Sequence, residues 1–141
     1  MIIALEIKLL GGANFDDDWK GTIEIEASDT LEDLHYAIQK AVQFDNDHMY
    51  RFYISRTPLS RKRILFDDEE GNVLEQTVGD IFPIPDKMSL YYYFDFGDDW
   101  RFKITKSRKS VTGPLKNVTY PRLVAEVGKK PEQYADWDED E

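Results

Sequence analysis

Cysteine is absent from the 141 residues, which excludes disulfides, thiolate nucleophiles and Cys-based zinc or iron–sulfur sites. Histidine is scarce, with only His35 and His48. Long apolar runs are also missing: none approaches the roughly 18 residues that a membrane-spanning helix requires. The N-terminus alternates apolar and polar residues and reaches Glu6 too soon to read as a signal peptide. These absences point to a cytoplasmic protein with no membrane association. Apolar residues make up 41% of the chain and aromatics 13%, enough to build an ordinary core, so disorder of the body is not expected. The length suits one domain, assigned to residues 1–135, followed by an acidic disordered tail at 136–141.

The net charge of −10 is distributed in blocks. Residues 1–50 carry −8, and residues 51–66 carry five bases (Arg51, Arg56, Arg61, Lys62, Arg63) and no acid. Residues 67–100 carry −9, residues 101–130 carry +8 and the last eleven carry −6. An acidic chain is repelled by the phosphate backbone, so nucleic-acid binding is not expected. The favoured reading of the blocks is that acidic and basic strands pair across a sheet; the alternative is a basic patch created by folding.

Ile3, Leu5, Ile7 and Leu9 alternate with Ala4, Glu6 and Lys8, the period of a half-buried strand. A second strand over 19–27 makes the pair a hairpin. Ser28 or Thr30 then offers an N-cap, and Leu31, Leu34, Ile38, Ala41 and Val42 recur at helical spacing, with the helix ending near Phe44. Strands follow at 49–55 and 64–66, a turn at 69–72 and a short helical turn at 77–81. The clearest strand places Met88, Leu90, Tyr92, Phe94 and Phe96 on one face and Tyr91 and Tyr93 on the other. Gly97-Asp98-Asp99 turns the chain into a return strand whose outer face carries Arg101 and Lys103. Beyond Lys106, Tyr120-Pro121-Arg122-Leu123-Val124 reads as an arm held by a few apolar anchors.

The order hairpin, helix, strand, turn, strand resembles the ubiquitin-like β-grasp fold over residues 1–94. The run Thr22-Ile23-Glu24-Ile25-Glu26-Ala27-Ser28-Asp29-Thr30-Leu31 carries the local match. The resemblance implies an α+β mixed sheet of about five or six strands with one main helix and a C-terminal arm. It implies no conjugating role, because the chain ends Asp138-Glu139-Asp140-Glu141 and not in Gly-Gly. A second, more specific resemblance rests on Tyr91-Tyr92-Tyr93-Phe94-Asp95-Phe96-Gly97-Asp98-Asp99-Trp100 and on Tyr120-Pro121-Arg122-Leu123-Val124. Together these are similar to the Ri-plasmid ORF-three-like family, whose members occur on plasmids, insertion elements and chromosomes. The resemblance carries no activity with it. The chain has Phe102 where members commonly have His, and Lys130-Pro131-Glu132-Gln133 where they commonly have Cys-Pro-Pro-Glu-Asp. If those His, Cys and Asp positions hold a metal in other members, this chain lacks three of the ligands.

Asp95, Asp98, Asp99 and Trp100 form the candidate site, since carboxylates around a tight turn can hold a divalent cation or supply a general base. The competing reading is turn chemistry, with Gly97 at positive φ and the aspartates bonding backbone N–H groups. Asp95 could also pair with Arg101 across the strands. An Asp45/Asp47/His48 metal site matches no known ligand spacing, and a solvated loop is favoured there. Tyr91, Tyr93, Arg101 and Lys103 form the candidate binding surface, able to stack bases or receive a peptide. The competing reading has the C-terminal arm cover that face through Leu115, Val118, Tyr120 and Leu123. The leading function is a non-catalytic interaction module that meets an unidentified protein partner through this sheet face or the basic 51–63 segment. A metal-dependent hydrolase at the aspartate turn and an accessory nucleic-acid binder of mobile elements are the alternatives. No cofactor is expected.

Overall fold

The computed structural model describes residues 1–12, 18–67, 72–108, 113–131 and 133. The tail expected at 136–141 and most of the turn expected at 69–72 lie outside these residues. β1 (Ile2–Gly11) and β2 (Lys20–Glu26) form the expected hairpin, with Ile3 opposite Ile25 and Leu5 opposite Ile23. α1 (Leu31–Val42) follows. Thr30 caps it by accepting from the Asp33 backbone N–H while the Asp33 carboxylate accepts from the Thr30 N–H at 2.9 Å, so two otherwise unpaired donors are satisfied together. Then come β3 (Tyr50–Ser55), β4 (Ile64–Asp67), the one-turn α2 (Val78–Ile81), β5 (Ser89–Phe94), β6 (Trp100–Lys106) and β7 (Arg122–Val127). Among the described residues no helix is long and apolar enough to cross a membrane.

The strands join in one sheet of order β4-β3-β5-β6-β1-β2-β7, and every neighbouring pair is antiparallel. The expectation of a mixed β-grasp sheet of five or six strands with one main helix is therefore overturned. Among the described residues the chain is mostly a seven-stranded antiparallel sheet with two short helices, of twelve and four residues. The physical reason is the β5–β6 hairpin. β5 runs in the same direction as β1 and would be its parallel partner, but the tight turn sends β6 back between them. β6 then pairs antiparallel with both, Tyr92 opposite Phe102 on one side and Ile7 opposite Ile104 on the other. The C-terminal arm is likewise corrected: it becomes β7, which extends the sheet beyond β2 with Leu123 opposite Ile23.

The inner face of the sheet and α1 enclose the core. Leu5, Ile7, Ile23, Ile25, Phe52, Tyr92, Phe94, Trp100, Phe102 and Ile104 meet Leu31, Leu34, Ile38 and Val42, and all are hidden from solvent. Val73, Val78 and Ile81 continue the cover on the side of α2.

One polar cluster sits inside this core. The Gln39 side-chain amide donates to the Tyr92 hydroxyl at 2.8 Å, and that hydroxyl lies 2.5 Å from His35 Nδ1. His35 Nε2 is 2.6 Å from Asn46 Oδ1, an oxygen that can only accept. These contacts are all satisfied when Nε2 carries the imidazole proton and the Tyr92 O–H donates to Nδ1. His35 is thus a buried structural residue, stacked on Tyr50 with ring centroids 3.6 Å apart. Burial pushes the Tyr92 phenol well above its ordinary value of 10.0, against the opposing effect of the Gln39 bond.

Tyr92→Phe should lower unfolding stability by about 1–3 kcal/mol, because His35 and Gln39 are left with unpaired buried groups. The raised phenol contributes stability that is fully present below pH 10.0 and is lost as pH rises above it. Urea melts at increasing alkaline pH should therefore show wild-type stability falling more steeply than that of the Phe variant.

Candidate functional site

The outer face of the sheet gathers residues from five strands into one surface. Tyr53 on β3 stands opposite Tyr91 on β5, and the rings stack at 5.3 Å and 26°. Tyr91 stands opposite Lys103 on β6, Lys103 opposite Lys8 on β1, and Lys8 opposite Lys20 on β2. In the next row Arg101 faces Tyr93, and Tyr93 faces Arg51. The period-two pleat makes this possible, since every second residue of each strand points the same way.

Guanidinium groups cover the rings. Arg63 lies 4.2 Å over Tyr53, Arg101 lies 4.1 Å over Tyr93 and Arg51 lies 4.4 Å over Phe96. Residues 56–63 fold back over the face. The Tyr53 hydroxyl donates to the Pro58 carbonyl at 2.6 Å, and Arg101 Nη1 donates to the Tyr53 oxygen at 2.7 Å and to Pro58 O at 3.1 Å. Arg101 Nε also reaches Asp99 Oδ1 at 3.1 Å. Burial works against the Arg101 charge, but Tyr53 and then Asp99 and Tyr93 favour it, and the net effect is a raised pKa. Burial raises the Tyr91 phenol, and burial with the Asp99 carboxylate raises that of Tyr93, so both stay neutral well into the alkaline range.

The candidate surface is therefore partly corrected. Tyr91 is 3% exposed, so it is a support beneath the surface, not a contact on it. Tyr93, Arg101 and Lys103 remain half-buried and within reach of solvent. The cover is not the C-terminal arm: Leu115 and Leu123 are exposed, and the arm lies at the far edge of the sheet. Phe96 does not continue the Tyr92–Phe94 face either. Asp95 has a φ of 58°, which breaks the alternation and brings Phe96 within 4.8 Å of the Tyr93 ring. Lys8 and Lys20 are the surface residues that sequence reasoning left out; Arg51 and Arg63 belong to the basic 51–63 segment, which it named apart from this face, and Tyr53, fully buried, is a support like Tyr91. The β1–β2 hairpin register could have placed Lys8 beside Lys20, whereas the contact of Lys8 with Lys103 is long-range.

The aspartate turn is a separate place. Asp95 Oδ1 accepts from the Gly97 and Asp98 backbone N–H groups at 3.2 and 3.3 Å, and the Asp99 N–H donates to Asp95 O at 2.7 Å. The positive φ values belong to Asp95 and Asp99, not to Gly97. Asp98 is half-buried, and the exposed Asp99 pairs with Arg101, which Asp95 does not. Trp100 is buried in the core beside Gly12, where an added Cβ would lie 2.1 Å from its ring. The four residues do not converge on a common point. Asp95 instead meets residues distant in sequence: its Oδ2 lies 3.3 Å from His48 Nε2, which is 3.5 Å from Asp47 Oδ1. The Gln133 side chain donates to Asp47 Oδ1 at 2.9 Å and accepts from the Asp45 N–H at 2.6 Å. Among the described residues no group of three or more His, Asp or Glu is arranged to hold a metal ion.

Comparison with known proteins agrees with the second resemblance noted from the sequence. The family model described as plasmid pRiA4b ORF-3-like protein matches residues 13–136. The crystal structure of a protein of unknown function from Methanosarcina mazei Go1 is similar in fold. It has a TM-score of 0.70 at 21% identity, covering 89% of this chain and 68% of that one. No curated protein sequence matches significantly.

Because Asp95 is buried and bonds its own turn, Asp95→Ala should cost about 1–3 kcal/mol of stability. Asp98→Ala, at a half-buried position whose carboxylate makes no hydrogen bond or ion pair among the described residues, should change it by less than about 1 kcal/mol. Chemical denaturation of the two variants checks the contrast; equal effects would remove the turn-bonding role assigned to Asp95.

Proposed function

The chain belongs to the plasmid pRiA4b ORF-3-like family, and from that premise we propose that it is a non-catalytic interaction module whose outer sheet face receives an acidic segment of a partner protein. One observation carries the reading: Lys20, Lys8 and Lys103 stand side by side across three strands of a protein whose net charge is −10. Like charges directly opposite one another in a sheet are unfavourable. Among the described residues none of the three lysines makes an ion pair. Arg51, Arg63 and Arg101 extend the positive field along the neighbouring strands. An anionic partner would relieve the repulsion, and a face of rigid rings under guanidinium groups suits carboxylate recognition.

The same rings argue for a peptide over a nucleic acid. Bases bind single-strand readers by stacking on open aromatic faces. Here Tyr53 and Tyr93 already carry Arg63 and Arg101 over their faces, and Tyr91 is hidden. The overall negative charge opposes a long polyanion further. Within this reading the protein acts in the cytoplasm, in keeping with a chain that uses no cysteine.

The test is an NMR titration of isotope-labelled protein with a short polyglutamate peptide. A parallel titration uses single-stranded oligothymidylate at equal ionic strength. Amide shifts confined to β1, β3, β5 and β6, weakened by added salt and lost in the Lys8→Glu/Lys103→Glu double variant, are expected. Tighter binding of the oligonucleotide would turn the reading toward nucleic acid. Peptide-induced shifts on another face would remove this surface from the account.

A further inference from the structure

A second surface, on the opposite face of the sheet, follows from simple dimensions. Seven strands spaced about 4.8 Å apart make a sheet roughly 30 Å wide, whereas one helix with its side chains is about 10 Å across. α1 therefore cannot cover the whole inner face. Part of the gap is closed by Val73, Val78 and Ile81, from the segment between β4 and β5. On the side of β2 and β7 it stays open. A groove of about 600 Å³ runs there between α1 and the segment 119–123, a volume typical of small-molecule sites.

Two of the α1 residues that line the groove, Ala37 and Ala41, are short, with Tyr36 and Lys40 beside them. Ile23 with Leu123, cross-strand partners on β2 and β7, form the floor. Larger side chains at 37 and 41 would fill the space. The apolar surface is accompanied by three cations, Lys40, Arg122 and Lys130. Two of them are neutralised within the fold: Arg122 Nη2 lies 2.8 Å from Glu24 Oε1, and Lys130 pairs with Glu126. The one acid in the lining, Asp33, is held in the Thr30 cap. Lys40 has no carboxylate partner among the described residues.

We propose that this groove binds a small amphipathic organic anion, with its apolar body against Ile23, Ala37, Ala41 and Leu123 and its acidic group on Lys40. The occupant is a small molecule because the groove is pocket-sized, and it is anionic because, among the described residues, Lys40 is the one lining charge without a partner. The site is independent of the outer-face reading: it lies on the other side of the sheet and shares no residue with it.

The test uses 1-anilinonaphthalene-8-sulfonate, an aromatic anion whose fluorescence rises on leaving water, titrated into the native protein with thermal melts as a folding control. The expected result is saturable one-to-one binding, weakened about tenfold by Lys40→Glu and blocked by Ala37→Phe. Lys40 is exposed, so its variant folds even if the Phe substitution does not. Absence of saturable binding, or binding indifferent to both substitutions, overturns the site. Binding blocked by Ala37→Phe yet unchanged in Lys40→Glu overturns the anionic class of ligand.

Discussion

The insertion of β6 between β1 and β5 is the constraint on which the rest of the molecule depends. This strand joins the N-terminal hairpin to the β3–β4–β5 unit, and without it the sheet would fall into two pieces. Its inward residues Trp100, Phe102 and Ile104 are almost completely buried. Its outward residues Arg101 and Lys103 complete the two rows of the basic face. Burying three large apolar side chains stabilises the fold by several kcal/mol, at about 1.5–3 kcal/mol each. That driving force fixes the register, and the register in turn forces Lys103 beside Lys8. The outer face thus inherits its charge pattern from a packing decision made on the inner one.

The two faces are finished in different ways. Inside, α1, α2 and the segment between β4 and β5 supply apolar cover, and the buried polar groups of His35, Gln39 and Tyr92 are bonded to one another, with the exposed Asn46 bonded at their rim. Outside, no helix among the described residues covers the sheet; arginines laid over tyrosines and the folded-back 56–63 segment take that place. Such a surface keeps apolar rings out of water while presenting charge. It is suited to a partner that brings carboxylates, and the helix side leaves a separate groove suited to a smaller guest.

Much of the local structure was legible in the sequence. The alternation of Ile3, Leu5 and Ile7, the helical spacing of Leu31, Leu34 and Ile38, and the Gly97-Asp98-Asp99 turn identify β1, α1 and the β5–β6 hairpin because period and turn chemistry are local properties. Sheet order is not local. The resemblance to a mixed sheet followed the chain as far as β5, and nothing in the alternation of Trp100, Phe102 and Ile104 says which strand lies on their other side. The same limit explains the site. Tyr93, Arg101 and Lys103 share one hairpin and could be read together; Lys8 and Arg63 join them only through long-range pairing. Tyr91 was placed on the correct face, but its burial depends on Tyr53, a residue of a different hairpin. Asp95 meeting His48 and Asp47 was hidden for the same reason.

The central claim is that the lysine row is held in register at the expense of the free protein's stability. It is tested most directly by urea unfolding of Lys8→Gln at low and high salt. Lys8 stands between Lys20 and Lys103, so removing its charge should raise stability by about 0.5–1 kcal/mol at low ionic strength. The gain should shrink at high salt, where the repulsion is screened. A variant less stable than wild type at low salt would mean that Lys8 makes a favourable contact in the free protein, and the case for an anionic partner on this face would fall.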